Sequence, residues 1–183
     1  MKNETMIRPK VKPVDKNTWA DFEALFQSRV APSYCWCMAW RMSSTELRNN
    51  NSASRKKFIR KRVNDGVPIG LLAYVNDKPV GWCSVAPRET FRKLGGDEAL
   101  EHVWSVTCFF VKREFRDQGL VSLLIDEAKK YARRNGAKYL EAYPVEPDSP
   151  SYRYMGFMHS FEKANFSFVK KAGTRRNVMV CKL

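Results

Sequence analysis

A short turn of the chain combines a glycine with basic side chains in a way that suits an anion. The turn spans residues 116–121, with the sequence Arg-Asp-Gln-Gly-Leu-Val, and Lys112 and Arg113 precede it. Where a strand runs into such a turn and a helix follows, the first amides of the helix lack carbonyl partners and point outward together. Gly119 would let the backbone approach a diphosphate closely. A glycine in a basic turn also has an ordinary steric explanation, so the turn alone leaves both interpretations open.

Cysteines and large aromatic residues are concentrated in a second stretch, residues 34–42. Cys35-Trp36-Cys37 is half of a metal-site pattern, but no second ligand pair follows at a suitable spacing, so we expect no metal. Cys108 is a thiol that could be acylated, although a buried, unactivated thiol explains it more simply. The aromatic side chains here fit either a pocket or the core.

The bulk composition predicts one folded domain over residues 1–183. Of these residues 44% are hydrophobic and 13% aromatic, enough to bury a core. The 33 Lys and Arg against 19 Asp and Glu give a formal charge of +14, which attracts polyanions and disfavours polycationic ligands. Nucleic acid and a phosphorylated cofactor would both satisfy this charge, so charge alone does not choose between them.

The cysteine count and the hydropathy pattern bear on the compartment. The five cysteines are an odd number in a chain too long to need disulfide staples, which favours reduced thiols. No apolar run approaches ~20 residues, and the amino terminus lacks the pattern of a signal peptide. We therefore expect a cytoplasmic protein that does not span a membrane.

Two helices are predicted near the amino terminus, after an extended segment over residues 7–13. Asn17-Thr18 offers an N-cap, and the residues that follow recur at helical spacing, namely Trp19, Phe22, Leu25 and Phe26. Ser52–Asn64 is the second predicted helix, and Asp65-Gly66 ends it.

Strands dominate the middle of the chain. Residues 69–75 and 79–85 predict a hairpin through 76–78, and Val103–Val111 is apolar on both faces, as expected for a central strand. An amphipathic helix then runs from Leu120 towards Asn135-Gly136.

The last third is predicted to complete the sheet. A strand over residues 138–144 closes a β-α-β unit, a short helical piece covers 150–155, and residues 166–170 and 177–183 form a hairpin through Gly173. The fold class is therefore α/β, in the mixed α+β sense, with the order β, α, α, β, β, β, α, β, α, β, β.

Two stretches in this order resemble the GNAT superfamily of N-acetyltransferases. Residues 110–121 look like its strand-loop-helix signature with an Arg/Gln-x-x-Gly-x-Gly/Ala core: Arg116 and Gly119 match, whereas Asp117 and Val121 replace small residues. Residues 152–157, Tyr-Arg-Tyr-Met-Gly-Phe, resemble the family's Tyr-x-x-x-Gly-Phe signature. The pattern covers about residues 69–160. It implies a GNAT-type mixed, mostly antiparallel central sheet flanked by helices.

The resemblance implies direct transfer of an acetyl group from acetyl-CoA to a primary amine, without a covalent enzyme intermediate or a metal. Backbone groups of the central strand would then hold the pantetheine arm, and the turn would bind the diphosphate. The cofactor-binding residues implied are Phe109, Phe110, Val111, Arg116, Asp117, Gln118, Gly119, Leu120, Val121 and Ser122.

Two catalytic roles follow from the same resemblance. Tyr152 matches the family's general acid, and a phenol suits protonation of a departing thiolate; Tyr154 is its local competitor. Glu101, just before the central strand and next to His102, is the predicted base, because some members carry a carboxylate there. Glu141, Glu146 and a chain of water molecules are the alternatives for the base. The stretch 34–42 would line the acceptor pocket.

A basic run supports a second hypothesis. Six of the eight residues 55–62 are Lys or Arg, which favours either a solvated helix face or a nucleic-acid patch. With Arg175-Arg176, this run could make the protein a nucleic-acid-binding module with a vestigial cofactor site, and Val121 is the best support for that view. The first hypothesis instead has a small-molecule or peptide amine acceptor as partner. The oligomeric state is not readable, and a homodimer stays open.

Overall fold

The computed structural model describes residues 9–28 and 31–183. Within them, one sheet includes every named strand: β1 Lys10–Pro13, β2 Leu71–Val75, β3 Lys78–Pro87, β4 Val103–Val111, β5 Tyr139–Ala142, β6 Ser167–Ala172 and β7 Arg176–Lys182. The strand order is β1-β2-β3-β4-β5-β7-β6. The first predicted strand is found from Lys10 onward, and its residues 7 and 8 lie outside the described part of the chain.

Helices cover both faces of the sheet. They are α1 Trp19–Gln27, α2 Ser52–Asn64, α3 Leu120–Arg134 and α4 Met158–Glu162. The apolar side chains of α1 and α2 share a core with Trp82 and Phe110, whereas α3 and α4 pack on the opposite face with Phe109 and Val111. Alternate side chains of β4 therefore pack into the two helical layers on opposite faces of the sheet, as expected for a strand buried on both faces.

The amino-terminal helices agree with their sequence patterns. Trp19, Phe22, Leu25 and Phe26 are all buried, as their spacing predicts. The capping is different: Thr18 occupies the N-cap without a side-chain cap bond, and the carboxylate of Asp15 accepts from the amides of Asn17 and Thr18 at 2.8 and 3.0 Å. The start of α1 is thus held by a carboxylate three residues before the N-cap.

The helical piece predicted at residues 150–155 is present only over its last three residues. The structure has a single 3-10 turn, Arg153–Met155, followed by α4, which the sequence interpretation missed. Gly156 separates the two because its φ of +89° lies outside the helical region. A Cβ at Gly156 would lie 2.9 Å from the ring of Phe161, so the glycine also lets this segment pack closely.

Strand β4 is the centre of the sheet, and it separates from its neighbour at mid-length. It pairs with β3 as far as Val111 but runs parallel to β5 only over residues 103–106. Thr107 is an extra residue in the register with β3, and such a bulge bends a strand. Beyond β5 the chain pairs Val145 with Phe157 instead. A notch therefore opens beside residues 107–111.

The fold class is confirmed. Only the β4–β5 pair is parallel among the named strands of the described residues, and the other neighbouring pairs are antiparallel. In the same part of the chain, no helix has both the length and the apolar character needed to cross a membrane.

Candidate active site

A cleft of about 1180 Å³ opens at the notch beside β4. We call it the main cleft. Its walls are the α1–α2 connection over residues 31–40, strand residues 108–111, the turn 115–122 and the segment 153–163. The sequence motifs at 116–121 and 152–157 thus meet in one place, although about 30 residues separate them along the chain.

The predicted anion-binding turn forms the entrance to α3. Gly119 is the N-cap residue with a φ of +77°, a left-handed conformation that favours glycine. The first helical hydrogen bond joins the Leu123 amide to the Gly119 carbonyl at 3.0 Å, so the amides of residues 120–122 precede it and are of the kind that lack helical partners. This end of the helix is suited to an anion.

The charged side chains that line the main cleft are mostly basic. The described lining residues include four basic side chains, Arg55, Arg116, Arg153 and Lys163, and a single carboxylate, Asp117. The Nε of Arg116 donates to the Val111 carbonyl at 3.0 Å, which fixes this guanidinium between β4 and the turn. The charge and the exposed amides together fit a diphosphate.

Nearly all of the predicted cofactor residues line the main cleft. They are Phe109, Phe110, Val111, Arg116, Asp117, Gly119, Leu120, Val121 and Ser122. Gln118 is not among the lining residues; it is exposed, and its side chain donates to the Glu114 carbonyl at 2.9 Å.

The two candidate acids are placed differently. Tyr154 lines the main cleft, and burial raises its pKa to about 12, so its hydroxyl stays protonated at neutral pH. Tyr152 is not among the lining residues. Tyr152 is half-buried, its ring centroid lies 6.3 Å from that of Tyr154, and the guanidinium of Arg176 lies 5.6 Å from its ring.

Glu101 lies away from the main cleft. It is exposed at the start of β4, and the cleft begins at residue 108 of the same strand, a separation of roughly 20 Å for an extended chain. Its neighbour His102 lines a second cleft of about 780 Å³ at the opposite end of β4. The structure therefore does not bring Glu101 together with Tyr152 or with the anion-binding turn.

Glu141 is fully engaged in a buried network beneath the second cleft. Its carboxylate accepts from Arg88 at 3.0 and 2.5 Å, and from the hydroxyls of Ser105 and Tyr143 at 2.6 Å each. Burial raises the pKa of Tyr143 well above its ordinary value, so this phenol remains a donor. A carboxylate held by so many donors is suited to stabilising the fold. Glu146 is exposed beyond β5.

A buried polar group that the sequence interpretation missed lies on the α1–α2 connection, directly after residues that line the main cleft. Arg41 is buried, and its guanidinium donates to the Ile69 carbonyl at 2.7 Å and to Ser84 Oγ at 2.9 Å. Cys37, on the same connection, lines the main cleft and accepts from the indole nitrogen of Trp82 at 3.3 Å. The available signal was a charged residue inside the apolar run 36–42, because a charge in such a run indicates a buried partner.

The cysteines are all free thiols, and they are not arranged as a metal site. Among the described residues, no group of three or more His, Cys, Asp or Glu side chains is placed to hold a metal ion. Cys37 and Cys108 both line the main cleft, from the α1–α2 connection and from β4 respectively.

The basic run on α2 is largely occupied by contacts within the protein. Arg62 makes a bidentate ion pair with Glu46, with both contacts at 2.8 Å, Lys56 pairs with Glu23, and Lys61 pairs with Asp65 at 2.5 Å. Arg55 donates to the Tyr34 carbonyl at 2.7 Å. These partners leave less of the run free for a polyanion than its sequence indicates.

Comparison with known proteins agrees with this architecture. A model of the acetyltransferase (GNAT) family matches residues 22–157, and no curated protein matches the chain. Among solved structures, the PaiA N-acetyltransferase from Thermoplasma acidophilum, in complex with coenzyme A, is 12% identical with a TM-score of 0.57. The match covers 97% of this chain and 100% of the PaiA chain.

Two further structures are similar at the level of the fold. A GNAT-family acetyltransferase from Streptococcus pneumoniae is 16% identical with a TM-score of 0.58, covering 96% of this chain and 99% of its own. YncA, a putative acetyltransferase from Salmonella typhimurium with its cofactor acetyl-CoA, is 15% identical with a TM-score of 0.58. The match covers 96% of this chain and 94% of the YncA chain. The chain belongs to the GNAT family of acetyltransferases, and the predicted resemblance is confirmed.

Proposed function

We propose that this protein transfers an acetyl group from acetyl-CoA directly to a primary amine. The observation that carries the proposal is the notch beside β4, which leads straight to the amino terminus of α3. An open strand edge next to unpaired helix amides suits an extended ligand that has amide groups at one end and phosphates at the other. The family membership and the coenzyme A complexes of similar structures support the same ligand.

The residues fit acetyl-CoA in two parts. The backbone of residues 109–111, on the edge of β4 that β5 leaves free, would hold the pantetheine arm. The amides of residues 118–122, with the guanidinium of Arg116, would hold the diphosphate. When bound, acetyl-CoA supplies an activated thioester, and the protein positions it, excludes water and moves the protons.

The geometry favours Tyr154 as the proton donor to the departing thiolate. Tyr154 lines the main cleft, and its phenol is protonated at neutral pH, so it has a proton to donate as negative charge develops on sulfur. Tyr152 matches the family position, and its ring lies edge-on to that of Tyr154. It is the second candidate, and it could also act by fixing the orientation of Tyr154.

The acceptor would enter through the wall formed by residues 31–40. This wall carries Tyr34, Trp40 and the two thiols of Cys35 and Cys37, so it offers aromatic and polarizable surface. With a net charge of +14, a polycationic acceptor would be repelled. A neutral or acidic small molecule, or a peptide amine, is the acceptor class that we propose.

Thermal unfolding and thiol release test this function in sequence. Acetyl-CoA is expected to raise the melting temperature, and a thiol-release assay across an amine library is expected to identify an acceptor. If millimolar acetyl-CoA left the melting temperature of the wild-type protein unchanged, the proposal would be refuted.

A further inference from the structure

Arg176, the first residue of β7, lies in an aromatic cluster next to the main cleft. Its guanidinium carbon is 4.9 Å from the centre of the Trp40 ring, 5.6 Å from that of Tyr152 and 5.9 Å from that of Tyr143. Side chains two residues apart in a strand share a face, and Val178 packs in the same cluster as these rings. The alternation along β7 therefore turns Arg176 into the protein.

This guanidinium is a cation without an anion. Among the described residues, no carboxylate lies within ion-pair distance of Arg176, and its buried Nη1 has no hydrogen-bond partner. The ring faces attract the positive charge, but they are weak acceptors for its N–H groups. Glu141, which accepts from the Tyr143 hydroxyl, is already paired with Arg88. Arg176 thus keeps a charge and an N–H group that nothing in the described chain satisfies.

A second donor without an acceptor lies beside Arg176. The Nε1 of Trp40 is buried and also has no hydrogen-bond partner among the described residues. Burial raises the pKa of Tyr154 to about 12, and the Trp40 indole acts against this rise without reaching hydrogen-bond geometry, so the indole lies near the candidate acid. Buried polar groups in native proteins nearly always have partners. Two such donors side by side fit a ligand group that only accepts, and an ionised carboxylate is such a group.

The two donors lie on the acceptor side of the site. Trp40 belongs to the wall over residues 31–40, whereas the turn that we assign to the diphosphate forms another wall of the main cleft. Arg176 contacts the ring of Tyr152, which lies 6.3 Å from the ring of Tyr154. Arg176 is half-buried rather than enclosed, so part of the residue is open to a ligand. An anion held there would be one aromatic ring away from the candidate acid, a separation that a small amine can span.

We propose that the acceptor carries a carboxylate as well as its amine, and that Arg176, together with the Trp40 indole, binds this carboxylate. The inference rests on the proposed function and narrows its acceptor to amino acids and related amines. A carboxylate presents two oxygens in a plane, so it can accept from the guanidinium and from the indole together. Its binding breaks no covalent bond; it supplies the missing anion and anchors the acceptor while the amine faces the thioester. The net charge of +14 attracts such a ligand.

Matched acceptors test this assignment in the thiol-release assay. The proteinogenic α-amino acids, β-alanine and γ-aminobutyrate are each compared with the derivative in which every carboxyl group is a primary amide. The amide of an α-amino acid has the more readily deprotonated amine, so its chemistry alone favours the amide. We expect instead that the best acid has a kcat/KM at least about tenfold above that of its amide. Equal or better use of the amides would overturn the proposal.

Two further acceptors distinguish a carboxylate from other anions. Taurine and 2-aminoethylphosphonate have the same carbon chain between amine and anion as β-alanine, but they carry a sulfonate and a phosphonate. We expect both to be poorer acceptors than β-alanine. If either were the best acceptor of the whole set, the site would bind a tetrahedral anion, and the carboxylate assignment would be overturned.

Substitution of Arg176 tests whether this residue recognises the carboxylate. Arg176→Met keeps an unbranched side chain among the rings and removes the charge. It should lower kcat/KM for the best acid by roughly 10- to 150-fold, mainly through KM, and change that for the amide by less than about threefold. Arg176→Lys keeps the charge without the planar fork and should recover only part of the preference. Trp40→Phe, which removes the indole N–H but keeps a ring, should lower the preference by about tenfold.

Arg175→Met is the matched control. Arg175 is the exposed preceding residue and donates to Ser151 Oγ at 2.7 Å, so its substitution removes the same charge from the adjacent position. It should keep the preference for the acid. A loss as large as that in Arg176→Met would mean that net charge sets the preference, and equal losses for acid and amide in Arg176→Met would mean that Arg176 only supports the fold; either result would overturn the proposal.

Thermal unfolding with acetyl-CoA checks that each variant is folded, and Arg176→Lys carries the comparison if Arg176→Met does not fold. The outcomes also separate this inference from the proposed function. Thiol release that is as fast with amides as with acids would overturn the carboxylate site and leave acetyl transfer intact. A protein that binds no acetyl-CoA and releases thiol with no amine would overturn the proposed function, and this inference with it.

Discussion

Replacing Gly119 by glutamate should abolish cofactor binding while leaving the fold intact. Gly119 begins α3 with a φ of +77°, and a Cβ built on it would meet no atom within 4 Å. The space is therefore available, and the carboxylate would extend from the same position as the helix amides that we assign to the diphosphate. The expected effect is electrostatic rather than steric.

The size of the effect follows from the exposed position of the turn. Two unit charges about 4 Å apart interact by ~1 kcal/mol in water and by ~4 kcal/mol near a protein surface. For two phosphates beside an exposed residue we expect about 2–4 kcal/mol in total, because water screens part of the repulsion. Affinity for acetyl-CoA should then fall roughly 30- to 1000-fold.

Thermal unfolding measures this change directly. A ligand at about 100 times its Kd stabilises the native state by ~2.7 kcal/mol, which for a chain of this size raises Tm by roughly 5–11 °C. With the affinity lowered as above, the same ligand concentration should give less than ~1 kcal/mol, and a shift of at most about 4 °C.

The control is a second left-handed glycine that is remote from the cleft. Gly173 has a φ of +73° and equally open space, so Gly173→Glu carries the same backbone cost of ~1–2 kcal/mol without a nearby diphosphate. It should retain the full ligand shift. If Gly119→Glu also retained it, the diphosphate would not bind at the start of α3, and the assignment of the turn would be refuted.

Three further predictions test other parts of the structure. Tyr154→Phe should lower kcat by about 10²-fold or more with little change in cofactor affinity, and a larger loss in Tyr152→Phe would reassign the acid. Glu141→Gln should reduce the free energy of unfolding, measured in urea, by about 3 kcal/mol, because it leaves the Arg88 guanidinium in a buried network without its anion. An unchanged midpoint of urea unfolding would contradict this prediction. Retention of the protein on RNA or DNA should be weak and salt-dependent, and substitution of the basic residues of α2 by glutamine should not change it. The substituted residues are Lys56, Lys57, Arg60 and Lys61. A marked loss of retention in this variant would revive the nucleic-acid hypothesis.

The sequence predicts the sheet and the position of the glycine turn before α3 well, because those features depend on local patterns. The apolar run Val103–Val111, the glycine turn and the amphipathic α3 are contiguous, so their spacing alone places the turn beside the central strand. The separation of β4 from β5 follows from a bulge at Thr107 and from the pairing of Val145 with Phe157. Neither has a signal in a single sequence.

The catalytic half is harder to predict because it is assembled from residues far apart in the chain. Tyr152 and Tyr154 are two positions apart, and only the left-handed φ of +61° at Tyr152 and the 3-10 turn after it decide which ring reaches the cleft. The position of Glu101 just before the central strand made it a candidate, but the strand runs away from it. The rings around Arg176 come from the α1–α2 connection, from the residue after β5 and from the residue before the 3-10 turn.

The α1–α2 connection contains two of the left-handed residues other than glycine. Asn76 and Asp77 adopt this conformation in the β2–β3 hairpin, where a tight turn requires it. No hairpin explains the same conformation at Trp36 and Cys37, with φ values of +48° and +55°, and such residues cost ~1–3 kcal/mol each. Burial of both side chains and the hydrogen bond from the Trp82 indole to the Cys37 sulfur offset part of this cost.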